Sequence, residues 1–168
     1  MRSIAKIVRS ANRAIEGVRR RLRQWWFRHI LGALGRGTVI DRNVVISDPE
    51  RVFIGSYVII NRDVILQGSA GGKISIGSRC NISYKAMLLT AGLEVPFVFT
   101  GSNHAHVYKD IVIGDDVWLG AGVIVLPGTV IEDNVVVAAG AVARGHLNSG
   151  WYYGGIPAKP IKPIAPQS

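Results

Sequence analysis

The stretch from Thr100 to Asp110 reads TGSNHAHVYKD and sets two imidazoles, His104 and His106, two residues apart in a polar, glycine-bearing segment. Such surroundings do not explain a histidine as core filling. Imidazole titrates near neutrality, so a histidine held against a substrate hydroxyl suits the role of general base. An exposed or locally hydrogen-bonded side chain would account for either residue alone, but a pair in one loop is harder to leave idle. No serine or cysteine stands in a recognisable activating context, so a covalent enzyme intermediate is not expected.

The elements that must position this pair are given by an internal repeat. From Ile113 the chain reads IGDDVW, LGAGVI, VLPGTV, IEDNVV and VAAGAV, five hexads with an aliphatic first residue and a Val, Thr or Ala fifth. The same pattern appears earlier as IDRNVV from Ile40, IGSYVI and INRDVI from Ile54, and IGSRCN and ISYKAM from Ile76. Phase breaks lie around Asp48 to Phe53 and Gly68 to Lys73. A period of six suits neither an α-helix nor an alternating hairpin sheet. It suits short strands joined by turns and coiled so that each anchor points to a common axis. With three hexads per coil, Ile113 stacks on Ile131 and Leu119 on Val137. Leu88 to Ile113 spans 25 residues, against 18 for a coil. About seven residues are therefore expected to loop out of the wall, carrying the histidine pair.

Ahead of the repeats, Ile4, Ile7, Val8, Ala11, Ala14, Ile15, Val18, Leu22, Trp25 and Trp26 recur at three- and four-residue steps among arginines, which predicts an amphipathic helix. Glycines at 32, 35 and 37 punctuate its end. The formal charge of +9 lies here: residues 1–36 hold ten Lys/Arg and one acid, whereas residues 37–168 hold ten of each sign. The repeat body is formally neutral, and nothing in it suggests a nucleic-acid platform. The basic apolar stripe, ending in Trp25, Trp26 and Phe27, suits either a membrane surface or a cap over the open first coil. The expected organisation is a helical segment over residues 1–36, a repeat domain over 37–160 and a Pro-rich tail over 161–168. No run of 18 uncharged apolar residues occurs, so a spanning helix is not expected, and arginines interrupt every candidate signal-peptide core. The single cysteine, Cys80, excludes an intramolecular disulfide framework.

At the hexads the sequence resembles the hexapeptide-repeat acyltransferases. The segment from Ile111 to Gly120, IVIGDDVWLG, and the closing GIPAK from Gly155 resemble the maltose/galactoside and polysaccharide O-acetyltransferase branch. The resemblance implies an all-β fold, a left-handed parallel β-helix with an N-terminal helix and an extended tail. It also implies a cytoplasmic homotrimer with sites between subunits, acetyl-CoA as donor, no metal, and a sugar or lipid-linked saccharide acceptor of cell-surface polysaccharide synthesis. By the same resemblance His104 is the base, with His106 as the fallback or orienting neighbour. Asn103 stands where relatives commonly carry Asp or Gly. Trp118 lines the acceptor and pantetheine cleft, and Lys159 approaches the CoA phosphates. Arg144 takes the place of a lysine that relatives carry one residue later. Alternatives are N-acetylation of a nucleotide-linked amino sugar, a β-helix without catalysis, or a zinc carbonic anhydrase on this fold. The last needs three converging histidines, and His29 and His146 lie in the helix and at the coil exit.

Overall fold

In the computed structural model, which describes residues 2–93 and 106–165, a helix α1 (Arg2–Ile30) leads into a parallel β-helix of triangular section. The first coil is β1 (Ala33–Leu34), β2 (Val39–Ile40) and β3 (Val45–Ser47); the second is β4 (Val52–Ile54), β5 (Ile59–Ile60) and β6 (Ile65–Gln67). The third is β7 (Ile74–Ile76), β8 (Asn81–Ile82) and β9 (Met87–Leu89). An arm follows, made of β10 (Ala91–Leu93) and β11 (His106–Tyr108). The coil resumes with β12 (Ile111–Ile113), β13 (Trp118–Leu119) and β14 (Ile124–Val125), then β15 (Val130–Ile131), β16 (Val136–Val137) and β17 (Val142–Ala143). It closes with β18 (His146–Leu147), β19 (Trp151–Gly154) and β20 (Lys159–Pro163).

Every third strand stacks into one face. The first face runs β1-β4-β7-β12-β15-β18, the second β2-β5-β8-β13-β16-β19-β20, and the third β3-β6-β9-β14-β17. All coil-to-coil pairs are parallel, and the prism is a left-handed β-helix. The expected ladders are present: Ile113 pairs with Ile131 and Leu119 with Val137.

Six-residue spacing works because two of each six side chains turn inward. The anchors Ile113, Leu119, Val125, Ile131 and Val137 are buried, and so are the fifth residues Val117, Val123, Thr129, Val135 and Ala141. The sixth residue faces out beside the next anchor, which gives the two-residue strands their outward-inward alternation. The fourth residue makes the corner and sits at positive φ: Asp116 at 57°, Gly122 at 68°, Gly128 at 80°, Asn134 at 54° and Gly140 at 71°. Gly, Asn and Asp tolerate that region, which explains their recurrence there. Between coils, side chains of the corner from the first to the second face bond the backbone of the coil before. The Ser78 N–H donates to Asp115 Oδ1 at 2.8 Å, and the Asp115 N–H donates to Asp133 Oδ1 at 2.7 Å.

The spacing of anchors on the first face is uneven: Ile54 lies 22 residues before its partner Ile76, Ile76 lies 37 before Ile113, and Ile131 only 16 before Leu147. The excursion that carries the histidines is therefore about nineteen residues longer than a plain coil, not about seven. Leu88 and Ile113 sit on adjacent faces, third and first, so one hexad, six residues, is all the wall needs between them. The described part of the extra chain forms the arm, whose strands pair antiparallel with Leu93 opposite His106 and Ala91 opposite Tyr108.

Candidate active site

The arm leaves the prism at the corner between the third and first faces. Two earlier corners of the same edge are also elaborated, by a 3-10 turn at Pro49–Arg51 and by a small turn bridged between Ser69 and Gly72. The arm docks on the second of these. The Lys109 N–H donates to the Thr90 carbonyl at 3.0 Å, the Lys73 N–H donates to Asp110 Oδ1 at 2.9 Å, and a Cβ built on Gly71 would lie 2.5 Å from Cβ of Tyr108. Thr90 itself is fully buried, its hydroxyl donating to the Gln67 carbonyl at 2.7 Å. The root of the arm is thus fixed by backbone and buried polar contacts.

On its other side the arm overhangs the corners of the next two coils and borders an open groove of about 500 Å³. Leu93, Val107 and Lys109 line it from the arm, and Pro127, Arg144 and Gly145 from the coil corners. The recess exists because the last of these corners is tight: the chain passes from Ala143 to Leu147 through Arg144, Gly145 and His146, two residues short of a hexad. Gly145 takes φ of 74° and Gly128 takes 80°, and Lys109 lies across Gly128 where a Cβ would meet its side chain at 2.9 Å. Two cations, Lys109 and Arg144, face this groove, and no acidic side chain lines it among the described residues. Its size and its mixture of apolar walls and cations suit an extended ligand with an anionic end.

The site residues expected from sequence fall in two places. His106 lies on β11, exposed, with its ring 5.9 Å from that of Tyr108 and the two planes 23° apart. Arg144 lies in the groove beneath the same arm. Asn103 and His104 lie outside the described residues. Trp118 is on the second face, half exposed, its Nε1–H donating to Ser83 Oγ at 3.0 Å. Lys159 is exposed at the start of β20, opposite Gly154, and is not among the residues lining the groove. Sequence reasoning missed Lys109. A basic residue three positions past His106, just where the arm rejoins the wall, was the available signal. Among the described residues, no three His, Cys, Asp or Glu side chains converge as a metal site.

Residues 110–145 match the family of bacterial transferase hexapeptide repeats (six repeats). The chain is 34% identical over 134 residues to WbbJ of Escherichia coli, which is named for lipopolysaccharide biosynthesis O-acetyl transfer; the match covers 79% of this chain and 64% of that one. It is 35% identical over 107 residues to WcaF of the same organism, named for colanic acid biosynthesis acetyl transfer, over 63% of this chain and 55% of that one. The chain therefore spans less than two thirds of the length of either relative. Among solved structures, a hexapeptide-repeat acetyltransferase of Vibrio cholerae complexed with acetyl coenzyme A superposes with a TM-score of 0.79 at 26% identity, covering 86% of this chain and 77% of that one. A maltose O-acetyltransferase of Clostridium difficile gives 0.78 at 28% identity, covering 86% and 75%. The six-residue repeat, its three-faced register and these likenesses identify the fold as the left-handed β-helix of hexapeptide repeats, with residues 110–145 similar to the bacterial transferase repeats.

Proposed function

We propose that the protein is an acetyl-CoA-dependent O-acetyltransferase acting on a sugar hydroxyl in cell-surface polysaccharide synthesis. The observation that carries this reading is the cationic groove formed under the histidine-bearing arm. The groove would take the pantetheine chain of acetyl-CoA along its apolar wall, with Lys109 and Arg144 towards the phosphates and Lys159 contributing from β20. His104 takes the proton of the acceptor hydroxyl, whose oxygen attacks the thioester carbonyl. The tetrahedral intermediate collapses with loss of the CoA thiolate, which receives the proton from the imidazolium. His106, stacked on Tyr108, orients the loop or serves as the base in place of His104, and Asn103 contributes to holding the acceptor.

Trp118 projects from the second face, away from the edge that bears the arm. A homotrimer would set the arm of one subunit against that face of its neighbour and so complete the acceptor cleft with Trp118. The donor is a cytoplasmic metabolite, which puts the reaction in the cytoplasm, at the membrane face where a lipid-linked saccharide would present its hydroxyls. The names of WbbJ and WcaF support an acceptor of this class. The test is CoA release over a panel of sugars, nucleotide sugars and lipid-linked oligosaccharides, with His104→Ala and His106→Ala in parallel. Loss of the base should lower kcat by about 10²- to 10⁴-fold with the acetyl-CoA KM little changed. Wild-type rates in both variants would refute the mechanism, and release of CoA to no saccharide acceptor would refute the function.

A further inference from the structure

The helix α1 is two-sided, and only one side is used by the coil. Phe27 and Leu31 are buried against the core, and the Arg23 Nε–H and Gln24 Nε2–H groups both donate to the Ile40 carbonyl, at 3.0 and 2.8 Å. These residues close the first coil. Ile15, Val18, Leu22, Trp25 and Trp26 are instead 49%, 56%, 62%, 60% and 56% exposed. Consecutive helical residues are about 100° apart, so Leu22 and Phe27 point roughly 140° from one another, and the exposed five share one stripe turned away from the coil. A cap needs none of them. Arg19, Arg20, Arg21 and Arg28 are also exposed, beside and behind the stripe.

We infer that this outer stripe of α1 is a docking surface for an anionic lipid monolayer. The helix would lie in the interface plane with Leu22, Trp25 and Trp26 inserted and the arginines among the headgroups. Charge complementarity selects this occupant: the formal +9 of the whole chain is carried by residues 1–36 and the remainder is neutral. A second copy of the chain seated on the stripe would set one +9 segment against another, whereas anionic headgroups compensate it. No helix among the described residues is long and apolar enough to cross a membrane, so the contact is peripheral. The inference rests on the proposed function only in giving the monolayer a reason, a lipid-borne acceptor.

The experiment is co-sedimentation of the full-length protein with vesicles, without any acceptor. Vesicles of phosphatidylcholine with about 30% phosphatidylglycerol are compared with pure phosphatidylcholine at ~50 mM and ~500 mM salt. The variant Leu22→Ser/Trp25→Ser/Trp26→Ser changes only exposed residues and should keep the wild-type melting temperature. Binding to the anionic vesicles, weakened at high salt and reduced about tenfold or more in the variant, is the expected result. No binding at low salt, equal binding to neutral vesicles, equal binding by the variant, or a change of oligomeric state in the variant without vesicle binding would each overturn the inference. CoA release to a soluble sugar, measured in parallel without vesicles, reports on the proposed function alone and separates the two failures.

Discussion

A glycine 33 residues ahead of His104 should control turnover. Gly71 lies in the small turn on which the arm rests, and a Cβ there would stand 2.5 Å from Cβ, 2.8 Å from Cγ and 2.9 Å from Cδ2 of Tyr108. Ordinary van der Waals contact begins at 3.4 Å, so the substitution Gly71→Ala demands a shift of about 0.9 Å. A rotamer change cannot supply it, because Cβ of Tyr108 is bonded to the backbone of β11. The strand itself must lift, and with it His106. A misplacement of about 1 Å at reacting atoms costs roughly 10²-fold in rate, or about 2.7 kcal/mol of transition-state stabilisation. The glycine is exposed and outside the prism, so the core should be untouched and the melting temperature should move by no more than a few degrees. Steady-state CoA release and a thermal melt on the same preparation make the test. A folded Gly71→Ala variant with kcat within about twofold of wild type would show that the turn gives way instead, and that the arm is not positioned by this contact.

Two further outcomes follow from the same structure. Arg144→Ala and Lys109→Ala should each raise the acetyl-CoA KM about tenfold with a smaller change in kcat, the lower end of what a charged hydrogen bond contributes because both side chains are exposed; an unchanged KM in both would remove the donor from the groove. Cys80 is buried on the second-face side of the third coil, its Sγ–H directed to the Gly114 carbonyl at 3.1 Å, and burial pushes its thiol up to about 11 from an ordinary value near 9. The folded state thus favours the protonated thiol, and stability is lost as pH rises from about 9 to about 11. The drop in urea midpoint between pH 8 and pH 10.5 should be smaller in Cys80→Val than in wild type, and an identical drop would count against a buried, protonated thiol.

The prism was legible because its signal is redundant. Five consecutive hexads from Ile113 set both the inward residues and the 18-residue pairing of Ile113 with Ile131, so one element confirmed another. The arm was legible as an interruption but not in size, because a break in phase does not say which faces its two ends occupy. Once Leu88 is seen on the third face and Ile113 on the first, the longer excursion follows. The groove was less accessible still. It depends on the arm folding over the later coils and on the four-residue step from Ala143 to Leu147, and neither is a pattern of residue types. Arg144 could be picked out from the resemblance, whereas Lys109 acquires its role only when its side chain crosses Gly128. For α1, the periodicity correctly gave an apolar stripe. It did not show that Phe27, grouped with Trp25 and Trp26 at the end of that stripe, turns with Leu31 to the core while the two tryptophans stay exposed.

A stack of parallel strands can in principle grow without limit, since each terminal rung offers unpaired backbone groups to another molecule. Here the second face is blocked at both ends by chain that departs from the repeat. At one end Arg23 and Gln24 occupy the Ile40 carbonyl. At the other β20 turns back antiparallel on β19, with Tyr152 opposite Lys162 and Gly154 opposite Lys159, so the edge that would template another coil is filled by a strand of the wrong polarity. On this face, coil-on-coil extension is thereby opposed by two unlike stoppers. Because the stopper at the first coil works through Phe27 and Leu31 and leaves Trp25 and Trp26 exposed, the surface attachment proposed above would not uncork the solenoid.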